Sequence, residues 1–297
     1  MLDFRLKVFQ SVAHNLSFTK ASNELFITQP AISKHIKELE SEYEVKLFNR
    51  IGNKISLTTA AEILLVYTDR IVSLHNEIKF ELSQLNGNPE GVLRIGASST
   101  ISQYVIPAVL AKFNKRFPEI KLSLINGNTE TIEKRLLKNE IEIGIVEGKP
   151  SNSDIRYSPF LNDELLVFTS AQNTILPNSV ANDEFLRLPL VLRERGSGTL
   201  EIIEKSLLQF KISPKQLNVL LFLGSTEAIK SFIKTGNGVG IVSRFAIEQE
   251  LSNNIFRLIN TPELKLYRQF YFISPQGPEP VGLVKLFLNF VQQHYNL

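Results

Sequence analysis

The chain has 297 residues, of which 43% are hydrophobic and 21% charged, a composition typical of folded globular proteins and not of disordered or fibrous ones. At about 150 residues per domain, this length suggests two folding units. The absence of cysteine excludes disulfides, thiolate nucleophiles and Cys-ligated metal sites, and fits a cytoplasmic protein. The net charge is only +3, so any argument for a nucleic-acid partner must rest on where the charges are placed.

The N-terminal segment gives no sign of export. Residues 1–7, MLDFRLK, carry charges where a secretory signal needs an uninterrupted apolar run. No later stretch approaches the roughly 18 consecutive apolar residues of a membrane span. We therefore expect a cytoplasmic protein that has no membrane partner.

The first 57 residues predict three short helices followed by a hairpin. Helical apolar periods break at residues 15–17 and 26–28, and an alternating stretch at residues 45–57 contains the turn-forming pair Gly52-Asn53. In the third helix Ile32, Ile36 and Leu39 fall on one face and are predicted to be buried. Two helices joined by a tight turn in this way have the geometry of a unit that enters the DNA major groove.

The exposed face of that third helix carries small polar and cationic groups. The residues are Thr28, Gln29, Pro30, Ser33, Lys34 and Lys37. Thr28 can cap the helix and Pro30 fits its first turn. Gln29 can read adenine, Ser33 can bond to a base or a phosphate, and the lysines can meet guanine or phosphate.

Two cations flank the hairpin turn. Arg50 and Lys54 would lie on a wing and reach a phosphate or the minor groove. The alternative is an amphipathic helix pair whose outer face is merely solvated. The glutamates at positions 38, 40, 42 and 44 favour that alternative, unless they point away from the duplex.

Residues 58–85 contain neither Gly nor Pro and predict one long helix. Steps of three and four define a narrow apolar stripe, comprising Leu64, Tyr67, Ile71, Leu74, Ile78, Leu82 and Leu85. The stripe can pack on its own domain or pair with a second copy in a dimeric coiled coil, and we favour the second. The helix ends at a hinge, residues 86–91, NGNPEG.

Beyond the hinge, strand-like and helical runs alternate, which predicts an α/β sheet with crossover helices. The strands are predicted at residues 92–96, 121–125, 141–146, 165–169, 188–192, 219–223, 239–242 and 267–273, and helices at 106–117, 129–139, 199–210, 226–235 and 281–295. So many strands suggest two lobes with a cleft between them, the first at about 89–163 and 267–297, the second at about 164–266. The predicted domains are therefore residues 1–58, 59–88 and 89–297.

The N-terminal motif resembles the winged helix-turn-helix of LysR-type transcriptional regulators. The resemblance is carried by residues 17–40, SFTKASNELFITQPAISKHIKELE, by residues 45–50, VKLFNR, and by Leu57-Thr58. The order of winged helix, linker helix and two-lobed domain also agrees with that family. Ala61 stands where the family usually has Gly, and since Ala favours helix we expect no functional loss.

The resemblance implies a fold and a function for the whole chain. The fold would be α/β: an N-terminal winged helix-turn-helix and a long dimerisation helix, followed by a periplasmic-binding-protein-like effector domain. The function would be regulation of transcription by sequence-specific binding to double-stranded DNA, switched by a small effector in the inter-lobe cleft. The implied partners are the operator DNA, the effector, further copies of the chain in dimers and tetramers, and RNA polymerase.

Two polar segments follow predicted strands and precede helices, where ligand contacts are expected. The first supplies Ser98, Ser99 and Thr100, and the second supplies Arg193, Arg195, Ser197, Gly198 and Thr199. Helix N-termini with a nearby guanidinium favour an anion. The alternative is that these residues only cap helices and turn the chain, but both runs resemble segments that line the inducer cleft in the family. Weaker candidates are Gln103, Thr129, Glu147, Ser225 and Thr226.

Nothing in the sequence favours an enzyme. The four histidines, His14, His35, His75 and His294, lie outside the cleft segments, and neither G-x-S-x-G nor a P-loop is present. The Gly-x-Gly runs at residues 196–198 and 236–240 do not fit a dinucleotide fingerprint. We predict no catalytic site, metal or cofactor. A solute-binding protein is the main alternative, but residues 1–57 would then have no role.

Overall fold

The computed structural model describes residues 3–51, 54–148 and 150–296, apart from the side chains of residues 50, 51 and 54. The chain divides into two compact units, residues 1–91 and 92–297. No helix among the described residues combines the length and the apolar character that a membrane crossing requires.

The described residues of the first unit form four helices and a two-stranded hairpin. The elements are α1 (Phe4–Asn15), α2 (Phe18–Leu25), α3 (Gln29–Glu42), β1 (Phe48–Ile51), β2 (Lys54–Leu57) and α4 (Thr59–Leu85). The predicted breaks are real: Leu16 and Phe26 adopt left-handed conformations with φ of 46° and 54° and end α1 and α2. The side chains of Ser17 and Thr28 cap α2 and α3 by accepting backbone N–H bonds.

The core of the first unit forms where these helices meet the hairpin. Ile32, Ile36 and Leu39 are buried, as predicted from their spacing, and pack with α1. Phe48 of β1 closes the core, with its ring centroid 5.8 Å from that of Phe9 and 5.7 Å from that of Phe18. The strands pair antiparallel along their whole length. The predicted turn Gly52-Asn53 lies outside the described residues.

The apolar stripe of the long helix α4 has a short packed part and a longer exposed part. Leu64 packs against the core of the first unit. The six stripe residues that follow stay between 43% and 83% exposed, and they are Tyr67, Ile71, Leu74, Ile78, Leu82 and Leu85. The first unit by itself therefore covers only the start of the stripe.

The second unit is α/β. Its strands are β3 (Gly91–Ser98), β4 (Ile120–Gly127), β5 (Ile143–Glu147), β6 (Ile155–Ser170), β7 (Leu190–Arg193), β8 (Val219–Leu223), β9 (Val239–Ser243), β10 (Phe256–Leu258) and β11 (Leu266–Pro275). Its α-helices are α5 (Pro107–Arg116), α6 (Thr129–Leu137), α7 (Asn182–Phe185), α8 (Gly198–Gln209), α9 (Thr226–Thr235), α10 (Arg244–Ser252) and α11 (Gly282–Tyr295). A π-helical turn, Ile101–Val105, precedes α5.

Two long strands, β6 and β11, join the halves of the second unit. The sheet order is β4-β3-β5-β11-β6-β9-β7-β8, with β10 paired to β6. We call β3–β5 with α5, α6 and α11 the first lobe, and β7–β10 with α7–α10 the second lobe. β6 and β11 are shared by both lobes, so one continuous sheet crosses the cleft.

The strand predicted from the sequence covers only the last part of β6. The predicted strand begins at residue 165, whereas β6 runs over 16 residues from Ile155. The first part of the strand contains Ser158, Pro159 and Asn162, which interrupt the apolar alternation typical of a strand. The register with β11 also shifts near Pro159. The short strand β10 and the helices α7 and α10 were also missed.

Candidate functional site

The exposed surface of α3 forms the first candidate site. Thr28, Gln29, Pro30, Lys34 and Lys37 are exposed and Ser33 is half-buried, whereas the opposite face of the helix is in the core. Thr28 accepts a hydrogen bond from the backbone N–H of Ala31 at 3.4 Å. The structure thus brings the six predicted residues, from the N-cap Thr28 to Lys37, together on one surface of α3, and we call it the reading surface.

The acidic residues near α3 are largely neutralised at its C-terminal end. Glu40 forms an ion pair with Lys46 at 3.0 Å, and Glu42 forms one with Arg5 at 2.6 Å. Lys34 lies 3.9 Å from Glu38, a loose contact between exposed groups. Glu40 and Glu42 therefore already have cationic partners, while Lys34 and Lys37 lie near the middle of the helix.

The predicted wing is present as a backbone feature. Arg50 lies opposite Ile55, and Lys54 lies opposite Ile51, at the end of the hairpin next to its turn. The side chains of Arg50 and Lys54 lie outside the described residues, so their contact with DNA stays a prediction.

The second candidate site lies between the lobes of the second unit and centres on Arg193, at the end of β7. Its guanidinium is buried and donates to Ser99 Oγ of the first lobe at 3.3 Å and to Thr226 Oγ1 at 3.5 Å. It also binds the carboxylate of Glu194 through two hydrogen bonds of 2.8 and 3.0 Å. A guanidinium in this arrangement offers paired donors that match a carboxylate or phosphate.

A second buried arginine, Arg268, lies on the shared strand β11. It donates to Asp163 Oδ2 at 2.6 Å and lies 3.4 Å from Glu147 Oε1. It also donates to the hydroxyls of Thr199 at 2.9 Å and Thr100 at 3.4 Å, which belong to opposite lobes. Arg268 therefore ties both lobes to the shared strands through a network of buried polar groups.

Burial raises the pKa of Glu147, while the positive charges of Arg268 and Arg193 oppose that rise. The hydroxyl of Ser98 donates a hydrogen bond to Glu147 Oε2. Burial at the end of β5 thus disfavours the ionised form of this carboxyl group even with both arginines in place, and the arginines reduce the effect.

The lobes touch directly at Gly198, the first residue of α8. A Cβ atom at this position would clash with the carbonyl oxygen of Glu147 in the first lobe. The hydroxyl of Thr129 donates to the same carbonyl oxygen at 2.9 Å. Only a residue without a side chain allows α8 to approach β5 so closely.

The structure places most of the predicted cleft residues around these arginines. Ser98, Ser99, Thr100, Glu147, Arg193, Ser197, Gly198, Thr199 and Thr226 are buried, and Thr129 and Ser225 are half-buried. Ser197 and Ser225 cap α8 and α9 with their side chains, so the capping alternative holds for these two. Gln103 and Arg195 are exposed, and neither side chain forms a hydrogen bond with any residue that the structure describes.

Sequence reasoning missed Arg268 and Asp163, and it missed Asn128, whose side chain donates to Glu194 Oε1 at 3.4 Å. A signal for Arg268 was present, since the alternation in β11 places it on the same side of the strand as the buried Leu266 and Phe270. Asp163 lies in the part of β6 that was not predicted as a strand. Across the described residues, no cluster of three or more His, Asp and Glu side chains could hold a metal ion.

Two family descriptions cover nearly the whole chain. The model for the bacterial regulatory helix-turn-helix protein of the lysR family matches residues 4–62. The model for the LysR substrate binding domain matches residues 86–296. Between them, these matches include both candidate sites.

Individual relatives agree with these descriptions. A probable RuBisCO transcriptional regulator of Trieres chinensis is 32% identical over 96% of this chain and 94% of its own. The regulatory domain of CcmR from Synechocystis PCC6803, solved in complex with 2-PG, is 27% identical with a TM-score of 0.62, over 69% of this chain and 97% of that domain. Full-length CbnR, solved with its target DNA, has the same fold at 19% identity, with a TM-score of 0.65 and 99% of each chain covered.

Proposed function

The chain belongs to the LysR family of transcriptional regulators, which bind DNA and respond to small-molecule effectors, and we propose that its own effector is a small anion held between the lobes. The buried guanidinium of Arg193 carries this proposal. It lies between hydroxyl groups of both lobes, and its counter-ion Glu194 is partly open to solvent. The relative CcmR is seen with 2-PG in its regulatory domain, which supports a ligand in this part of the chain.

The reading surface supports DNA binding by α3. Its polar and cationic residues run from the N-cap Thr28 to Lys37, on the side of α3 that faces away from the core. Such a helix can enter the major groove with its first turns against the bases. Full-length CbnR, a protein of the same fold, has been solved in complex with its target DNA.

Three measurements on the purified protein test the two halves of the proposal, DNA binding and anion binding. Genome-wide mapping of bound fragments supplies the DNA, and affinity for a recovered fragment is measured at several salt concentrations. Binding should weaken steeply with salt, with a slope of about −0.9 for each phosphate contacted. In parallel, 2-PG or inorganic phosphate should raise the melting temperature, whereas the neutral control glycerol at equal concentration should not.

Three results would count against the proposal. A salt-independent affinity would contradict docking through phosphates, and the absence of any reproducible bound site would favour the solute-binding alternative. The variant Arg193→Met should lose the anion-induced stabilisation while keeping its affinity for DNA. An unchanged thermal shift in this variant would place the anion elsewhere.

The exposed stripe of α4 supports a homodimer. Six large apolar side chains at helical spacing are open to solvent over residues 67–85, which is the pattern of a coiled-coil surface. We propose that a second copy covers them. Replacing Leu74 and Ile78 by Glu should place charges in the interface and shift the chain to a monomer in sedimentation experiments. Asn76→Glu, on the opposite side of the helix, is the control, and a dimer that survives the double substitution would refute the assignment.

Further partners follow from family membership and are proposals. They are tetramers formed from dimers and contact with RNA polymerase at the promoter. We also propose that the chain catalyses no reaction, since the relatives described above are regulators. We also propose that the protein acts in the cytoplasm, as is typical of DNA-binding regulators of this family.

A further inference from the structure

The counter-ion of Arg193 is more exposed than the carboxylates of Glu147 and Asp163 beside Arg268. The guanidinium of Arg193 is 1% exposed, but the Glu194 side chain that binds it is 29% exposed. Two parallel hydrogen bonds, from Nε to Oε2 at 2.8 Å and from Nη2 to Oε1 at 3.0 Å, join the pair. This is the fork geometry by which an arginine would also hold the carboxylate or phosphate of a ligand.

At Arg268, by contrast, an anion from solvent has no exposed carboxylate to replace. The carboxylates of Asp163 and Glu147 beside Arg268 are 0% and 2% exposed. Moving either away would leave a buried charge without its partner, which is strongly unfavourable. The pair formed by Arg193 and Glu194 is therefore the place where an anion from solvent can replace a protein carboxylate.

Glu194 also reaches the first lobe. Its Oε1 accepts a hydrogen bond of 3.4 Å from Asn128 Nδ2, and Asn128 caps α6 by accepting the N–H of Thr131 at 2.9 Å. The carboxylate thus lies between a guanidinium of the second lobe and the start of a first-lobe helix. Burial raises the pKa of Glu194, but the hydrogen bond and the charge of Arg193 outweigh that effect and keep it below its usual value, so the group is ionised at neutral pH.

We propose that Glu194 is a built-in competitor for the effector: its carboxylate occupies the anion position on Arg193, and an anionic effector binds by displacing it. The inference rests on the proposed function and specifies the chemistry of its ligand. The ligand carries a carboxylate or phosphate group with two oxygens for the fork, and the hydroxyls of Ser99 and Thr226 lie beside the same guanidinium.

The exchange has three physical consequences. Because one anion replaces another, Arg193 stays paired throughout and no buried charge is left alone. Only molecules in which Glu194 has left Arg193 can bind the effector there. The apparent affinity for the effector is therefore the intrinsic affinity multiplied by the fraction of such molecules. Displacing Glu194 also breaks its contact with Asn128, so occupancy of the site is linked to a contact between the lobes.

The test is to remove the carboxylate while keeping its shape. In the full chain, Glu194→Gln should bind inorganic phosphate and 2-PG at least about tenfold more tightly than the unsubstituted protein in calorimetric titrations, since a neutral amide competes poorly for a guanidinium. Glu194→Ala should tighten binding as well. The matched control is Glu204→Gln, which removes the same charge from an exposed position on α8 and should leave both affinities unchanged.

The outcomes separate this inference from the proposed function. Anion binding that disappears in Arg193→Met but stays equal or weakens in Glu194→Gln and Glu194→Ala would leave the proposed function standing and overturn the competitor role. Equal tightening in Glu204→Gln would reduce the effect to net charge and overturn it as well. If no variant binds either anion, the anionic effector and the competitor role both fail.

Discussion

Replacing Arg268 by Met should lower the free energy of unfolding by about 3–5 kcal/mol, because it leaves buried carboxylates without their positive partner. Arg268 binds Asp163 Oδ2 at 2.6 Å and lies 3.4 Å from Glu147 Oε1, and all three side chains are buried. The hydroxyls of Thr100 and Thr199 would lose their donor in the same substitution. Urea unfolding followed by circular dichroism measures the loss.

The destabilisation of Arg268→Met should grow as the pH rises. The pKa of Glu147 is already raised by burial and is held down in part by Arg268, so removing the arginine raises it further. A carboxyl group whose pKa is higher in the folded than in the unfolded state binds more protons when folded, so stability falls as the pH rises from the unfolded pKa through the folded one. Unfolding at pH 5 and pH 8 checks this, and the larger loss is expected at pH 8.

Two controls separate the charge effect from loss of packing. Arg257→Met removes a half-buried arginine that donates only to oxygens of uncharged groups, such as the carbonyls of Asn173 and Leu176, and should cost less. Adding Glu147→Gln to Arg268→Met should recover part of the stability, because one uncompensated charge is removed. Equal losses in Arg268→Met and Arg257→Met, with no recovery in the double variant, would argue against a charge network.

Substitutions on the reading surface should separate affinity from base preference. Lys37→Ala should weaken binding about equally on all DNA sequences and reduce the salt slope by about one, as expected for a lost phosphate contact. Gln29→Ala should instead relax the preference at one base pair, where a bidentate contact contributes about 1–3 kcal/mol of discrimination. Both side chains are exposed, so neither change should alter the fold.

Competition binding to randomised operator libraries measures both effects at once. Lys115→Ala is the matched control for Lys37→Ala, since it removes an exposed lysine from α5 in the second unit and should leave binding unchanged. If Lys37→Ala and Gln29→Ala lowered the affinity equally on every DNA sequence, α3 would contact only the sugar-phosphate backbone of the DNA. A change in base preference from Lys37→Ala would assign that lysine to a base.

The local sequence was sufficient for the elements of the first unit. The spacing of Ile32, Ile36 and Leu39 specifies the buried side of α3, and Ser17 and Thr28 mark the starts of α2 and α3 because their oxygens accept backbone N–H groups within the next turn. These interactions span only a few residues, so that a pattern in the chain can reveal them. The reading surface follows as the opposite side of the same helix.

The cleft could be predicted only in part. Polar segments that follow strands pointed to Ser99 and Arg193, because chain order places strand ends at one edge of a sheet. The shared strand β6 was shortened by its polar residues, and the network around Arg268 lies partly on it. The hydrogen bond from Arg268 to Thr100 cannot be predicted from sequence spacing, because the two residues are 168 positions apart.

By itself, the sequence determined the two-part organisation, the winged helix-turn-helix, the linker helix and the polar segments of the cleft. Only the tertiary structure decided which charges meet there: Arg268 with Asp163 and Glu147, and Arg193 with Glu194 beside Asn128. The physical reason is that burial makes each of these charges depend on a partner, and most of those partners are set by strand register and lobe approach, not by neighbours along the chain.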